Sequence, residues 1–241
     1  MGRMLYGVPY RGSKNQIADK IIEQLPPAKH FYDVFAGGCA ITHAALLSGK
    51  YKYIHASDID TRGMRLFWDG IEGEFKDEDR WITREDFHRQ KATNPYIALC
   101  WSFSNNMEDY LYGKDIENVK KNFFEKREAY TRNVGRLNRV NKNIGMNIES
   151  VTFAKCSFEK VDILEDSVVY CDIPYRNTQC SYRYNFDYEE FYKWAENHKN
   201  CYVSEYEMPN DRFKIIYEIE KIQLTSNSNN KRAKERLYVP K

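Results

Sequence analysis

No apolar run in this chain is long enough to cross a bilayer, and nothing at its N-terminal end has the charged, apolar and small-residue order of a signal peptide. A cytoplasmic protein of a bacterial host cell is therefore expected, with no membrane partner. Cysteine is sparse: the six residues Cys39, Cys100, Cys156, Cys171, Cys180 and Cys201 form no C-x-x-C pair and have no histidine at metal-ligand spacing. That pattern argues against a structural zinc or a disulfide framework, and no metal site is expected. Net charge is also small, with 37 basic against 35 acidic residues, so any polyanion partner must be met by local clusters. Internal repeats and low-complexity linkers are missing. At 241 residues the chain suits one domain, or one domain with a large insertion.

The most informative stretch is Val168-Val169-Tyr170-Cys171-Asp172-Ile173-Pro174-Tyr175. Its first half has the β-branched and aromatic content of a buried strand, and Pro174 stops it because proline has no N–H for the ladder. Asp172 is thereby placed at the C-terminal edge of a sheet, where open α/β folds bind ligands. A carboxylate, the Ile173 carbonyl and the Tyr175 ring offer two acceptors beside a stacking surface, which suits a planar ligand with an exocyclic amino group. A strand-ending turn with Tyr175 in the core is the plainer alternative.

Phe31-Tyr32-Asp33-Val34-Phe35 reads as a strand, Ala36-Gly37-Gly38-Cys39 as a glycine turn, and Ala44 to Leu47 as an apolar helix stopped by Gly49. A second strand, Tyr53 to Ser57, ends at Asp58, about 20 residues past the turn, the offset of a ribose-binding acid. The turn lacks the G-x-G-x-x-G order, so an adenosine ligand without a pyrophosphate fits better than a dinucleotide. Asp60 competes for the ribose role or caps the helix starting near Thr61. Ahead of these, Pro9-Tyr10-Arg11-Gly12-Ser13-Lys14 is a loop leading into a helix over 15–24 with Ser13 as its N-cap, and Tyr10 and Lys14 suit an adenine-like ring and a carboxylate. A plain surface loop accounts for the same residues.

From about Asp69 to Ile148 the strand–helix rhythm is lost. Trp81, Phe87, Tyr96, Leu99, Trp101 and Phe103 are expected in its core. Trp101 to Gly113 reads as an irregular loop with side chains for bases. Lys120, Lys121, Lys126, Arg127, Arg132, Arg136, Arg139 and Lys142, interleaved with Asn133, Asn138, Asn141 and Asn143, form a face suited to phosphates. A solvated face balanced by Glu117, Glu125 and Glu128 is the competing reading. The rhythm then returns: strands at Val151, Val168, Cys201, Ile215 and Leu237, a polar loop with Tyr182, Tyr184 and Phe186, a helix over 187–197, and a polar loop from Thr225 to Lys234 suited to phosphate contacts.

In this order the segments resemble the D12 class of N6-adenine DNA methyltransferases. The resemblance implies an α/β, Rossmann-like S-adenosylmethionine-dependent methyltransferase fold with a mainly helical inserted target-recognition domain. It implies a catalytic domain over 1–68 and 149–241, the DNA-binding insert over 69–148, S-adenosyl-L-methionine as cofactor and double-stranded DNA as partner. By residue, it implies cofactor contacts at Tyr10, Lys14, Phe35, Ala36, Gly37, Asp58 and Asp172. The catalytic loop would be Asp172, Ile173, Pro174 and Tyr175, acting on a flipped-out adenine. Two positions depart from the family pattern: Cys39 stands for a second glycine, with Gly38 expected to supply the flexibility, and Ile173 stands for the first proline of D-P-P-Y. The alternatives are a methyltransferase for RNA or protein glutamine, and an impaired, DNA-binding module of the same fold.

Overall fold

The computed structural model describes residues 5–126, 132–176, 186–223 and 231–241, without the side chains of 132–134, 220–223 and 231–233. Seven strands, β1 (Ala28–Asp33), β2 (Tyr51–Asp58), β3 (Val151–Lys155), β4 (Ser167–Asp172), β5 (Cys201–Glu205), β6 (Phe213–Gln223) and β7 (Lys231–Pro240), form one sheet in the order β3-β2-β1-β4-β5-β7-β6. The first five run parallel, and β7 enters antiparallel between β5 and β6. The order reverses at β1 and β4, so the crevice beyond their C-terminal ends is the position where such sheets take ligands. In chain order the α-helices are α1 (Ala18–Gln24), α2 (Ala40–Ser48), α3 (Arg62–Glu72), α4 (Arg84–Gln90), α5 (Pro95–Cys100), α6 (Lys114–Lys126), α7 (Arg132–Asn141) and α8 (Tyr188–Glu196). Among the described residues no helix is long and apolar enough to cross a membrane.

Two compact units result. One holds the whole sheet and comprises residues 17–36, 44–59 and 150–241. The middle of its central strand β4, Val168, Val169, Tyr170 and Cys171, is fully buried. On one side these meet Phe191, Tyr192 and Ala195 of α8, whose N-cap Asp187 accepts the Glu190 N–H at 3.0 Å. The other unit is helical and takes in residues up to 16, 37–43 and 60–149, so the N-terminal loop and the glycine turn group with it. Its centre is α5, buried at every position and started by the Asn94 side chain, which accepts the Ile97 N–H at 3.1 Å.

Several local expectations change. Ser13 does not cap α1, because residues 10–13 close a turn of their own, with the Ser13 N–H on the Tyr10 carbonyl and Gly12 at φ +78°. Phe103 is 58% exposed, whereas Tyr110 and Tyr112 are buried and the Tyr110 hydroxyl is spent on the Ile82 carbonyl at 2.6 Å. Those two tyrosines serve the helical core rather than a base-reading loop. Lys231 to Lys234 are strand, paired with 220–223, since the long β6–β7 ladder continues past the apolar part. Arg127, Glu128, Tyr182, Tyr184, Cys180 and 225–230 lie outside the described residues, as do the side chains of Arg132 and Asn133.

Candidate active site

In the sheet unit, β4 ends on Asp172, half-exposed, with Ser204 of β5 as its register partner. Ile173 turns its side chain into the core, 2% exposed, among Val169, Val203 and Phe191. The following loop is tied at three points. The Tyr188 hydroxyl donates to the Pro174 carbonyl at 2.9 Å. The Tyr175 hydroxyl donates to the Glu235 carboxylate, while its ring stands edge-on to Tyr206 at 4.6 Å between centroids. The Arg176 N–H donates to Glu205 Oε2 at 3.2 Å. Pro174 and Tyr175 thus sit in a preset loop, as electrostatic positioning of a substrate requires.

Two of those anchors, Glu205 and Glu235, are carboxylates only 2% exposed. Burial pushes Glu205 up to about 7, helped by the nearby Asp172 and Glu235 charges and opposed by the Tyr206 and Arg176 N–H groups. Burial, with the same Asp172 and Glu235 charges, drives the Tyr175 phenol well above its ordinary value, so it stays a neutral donor. Neither glutamate stands out in the sequence reading. The signal was an acid following an apolar strand, the pattern already noted at Asp58 and Asp172; Cys201-Tyr202-Val203-Ser204 leads into Glu205 in the same way.

At the neighbouring strand ends, Asp33 is 1% exposed, and Asp58 is half-buried as the last residue of β2, opposite Lys155. The Ala36 N–H closes onto the Ser57 carbonyl at 3.0 Å. Phe35 packs against Phe158, Phe186 and Phe191, with centroids 5.8–6.0 Å away. Its ring therefore supports the turn from the core side.

In the helical unit the glycine turn meets Tyr10. A β-carbon added at Gly37 (φ +47°) would lie 2.9 Å from Tyr10 Cε1, and one at Gly38 only 2.5 Å from Tyr10 Cβ. The flexibility expected of Gly38 is not what the turn draws on there: the left-handed conformation is taken by Gly37 and by Cys39, the latter at φ +56° and fully buried. Gly38 is needed for space and Cys39 carries the conformation, at the cost of local strain. Lys14 is 3% exposed. Asp60 accepts the Arg62 N–H at 3.1 Å at the start of α3 and holds the Arg62 guanidinium at 2.5 and 2.9 Å.

The basic face of α7 is also divided. Arg139 turns inward and donates to the Tyr6 and Val8 carbonyls at 3.2 and 2.8 Å, and burial lowers its guanidinium to about 10. Arg139 therefore braces the N-terminal loop instead of meeting phosphate, and Asn143, fully buried, does not face solvent either. Lys120, Lys126 and Lys142 remain exposed.

A mostly parallel sheet of this order, with an acid–apolar–proline–aromatic loop at the end of β4 and a second acid at the end of β2, is that of a methyltransferase of the Rossmann-like class. Within that class the chain belongs to the D12 class N6 adenine-specific DNA methyltransferase family, whose model matches residues 10–236. It is thus an adenine-specific DNA methyltransferase by family, and S-adenosyl-L-methionine is the methyl donor such a family implies. The rRNA methyltransferase AviRa from Streptomyces viridochromogenes is similar across 100% of this chain and 90% of its own, at 13% identity and a TM-score of 0.42. No match is found among curated proteins.

Proposed function

We propose that the protein methylates the N6 amine of an adenine flipped out of double-stranded DNA. The observation that carries this reading is the placing of Asp172 at the C-terminal end of β4, followed by a loop whose proline and tyrosine are tied down. An adenine amino group is a poor nucleophile because its lone pair is delocalised into the ring. The Asp172 carboxylate accepting one N–H and the Ile173 carbonyl accepting the other favour a tetrahedral nitrogen, with the lone pair aimed away from both. Tyr175 stacks on the extruded base, which must leave the helix to be reached. Ile173 replaces proline without loss because its role is in the carbonyl, and its buried side chain supplies stiffness that the missing ring does not.

Bound S-adenosyl-L-methionine supplies an electrophilic methyl group on a sulfonium. The residues present suit that group: Asp58 is a half-buried carboxylate at a strand end, matched to a pair of vicinal hydroxyls, and the turn after β1 brings backbone rather than side chains forward at Gly37 and Gly38. Tyr10 takes the adenosyl ring and Lys14 the carboxylate end. The helical stretch 69–148 reads the target through its exposed cations, Lys120, Lys126 and Lys142, and other groove-facing side chains.

Asp58→Ala is expected to raise the dissociation constant for S-adenosyl-L-methionine about 10- to 100-fold, the worth of hydrogen bonds to a charged group. Asp60→Ala, which gives up the ion pair with Arg62, is expected to stay within about threefold. Calorimetric titration of both variants reads the difference, and equal losses would move the ribose contact away from Asp58. The function itself is tested by incubating the protein with unmethylated duplex DNA and the cofactor, then mapping modified adenines by single-molecule sequencing. Methylation confined to RNA in a competition assay would overturn it.

A further inference from the structure

We propose that Glu205 is a positioning residue of this site: as the anion it clamps the loop bearing Asp172, Ile173 and Tyr175 to the end of β5, and a proton on it releases the clamp. The consequence for turnover rests on the adenine-methylation reading above.

The geometry is that of a two-point strap. Glu205 Oε1 accepts the Tyr206 N–H at 2.7 Å and Oε2 accepts the Arg176 N–H at 3.2 Å, so one carboxylate holds its own strand end and the residue next to Tyr175. Both oxygens must be acceptors for both bonds to stand. A proton on one oxygen makes that oxygen a donor and a poorer acceptor, so the arm of the strap on it is weakened.

The surroundings set where that happens. From β4, Asp172 brings negative charge, and Tyr170 lies beside it with its hydroxyl on Ser204 at 2.7 Å. From β7, Glu235 adds a second carboxylate, held by the Tyr175 hydroxyl. Among the described residues, two nearby cations are engaged elsewhere: Arg236, the register partner of Glu205, sits on Glu218 at 2.8 Å and the Tyr206 carbonyl at 2.6 Å. Arg176 lies over the Tyr188 ring at 5.5 Å. From α8, Tyr192 faces Glu205 with a neutral phenol. Two carboxylates and burial against two backbone donors leave Glu205 titrating at about 7, within the working range of an enzyme. The strap is closed above that pH and opens as pH falls through it.

The decisive measurement is a backbone-amide NMR titration of the full chain from acid to mildly alkaline pH, with kcat for methyl transfer measured over the same range. The Arg176 and Tyr206 amide signals are expected to share one midpoint near 7 that vanishes in Glu205→Gln. In Glu235→Gln the midpoint should fall, because a neighbouring negative charge is gone. Wild-type kcat should decline on the acid side with that midpoint. In Glu205→Gln it should be about tenfold lower and flat across the range, the loss of one charge-assisted bond. A purely structural glutamate would lower kcat and leave the acid limb where it was.

Amides that do not titrate in the wild type, or that still titrate in Glu205→Gln, overturn the clamp. An acid limb that persists in Glu205→Gln also overturns it, while the methylation reading stands. A wild type whose amides titrate as stated but which methylates no DNA supports the clamp and overturns the methylation reading.

Discussion

Asp172→Ala is expected to lower methyl transfer to unmethylated duplex DNA by about 100- to 1000-fold, with no loss of fold. The rate effect follows from removing a fixed acceptor where charge develops on the adenine nitrogen; donors and acceptors of that kind are worth factors of about 100 to 1000 each. Ile173 can supply only one acceptor, so its carbonyl does not replace the lost one. Stability is affected far less than the rate. Asp172 is half-exposed at a strand end, and its negative charge stands near Glu205 and Glu235, whose buried carboxylates gain nothing from it. Taking that charge away relieves this repulsion, and the thermal midpoint is expected to move by only a few degrees. Asp172→Asn should fall between, since its amide oxygen still accepts. Activity and melting temperature measured side by side check the pair, and a fully active alanine variant would remove Asp172 from the chemistry.

Gly63→Ala is expected to destabilise the protein by about 3 kcal/mol, a drop on the order of 10 °C in melting temperature, although alanine is the better helix former. Gly63 lies in the first turn of α3, and a β-carbon there would stand 2.0 Å from the Gly37 carbonyl oxygen and 2.7 Å from its carbon. Both are backbone atoms and cannot swing aside. Helix propensity gains about 1 kcal/mol at most, so the overlap wins. Because Gly37 lies against the Tyr10 ring, cofactor affinity should fall with stability. Gly135→Ala on exposed α7 is the matched control: a β-carbon there meets nothing within 4 Å, and a gain of about 0.5–1 kcal/mol is expected. Opposite signs for one chemical change in two helices, read by thermal melts, test the packing directly.

The parts of the fold legible in the sequence are those encoded within a few residues. An apolar run stopped by Asp172 and Pro174 makes β4 and its polar end, because β propensity and the missing proline N–H act locally. The same holds for the turn after β1, for β2 ending on Asp58 and for α2 stopped by Gly49 at φ +66°. Helical spacing made α7 legible, but the spacing alone does not say which basic residues turn inward. Arg139 and Asn143 share its pattern with Lys142 and differ only in what packs against them. The roles of Gly38 and Cys39 were exchanged for a similar reason. Conformation and available space look alike in a glycine-rich tetrapeptide, and only the position of Tyr10 separates them.

By itself, then, the sequence determined a Rossmann-like α/β methyltransferase, the order of its motifs and the carboxylate at the end of β4, since each follows from short-range propensity and residue chemistry. Tertiary structure alone decided what holds that carboxylate's loop. Glu205 and Glu235 lie 33 and 63 residues beyond Asp172 in the chain, on strands whose place beside it depends on sheet order and register. Burial there moves Glu205 into the neutral range, and burial depends on neighbours that are distant in the sequence.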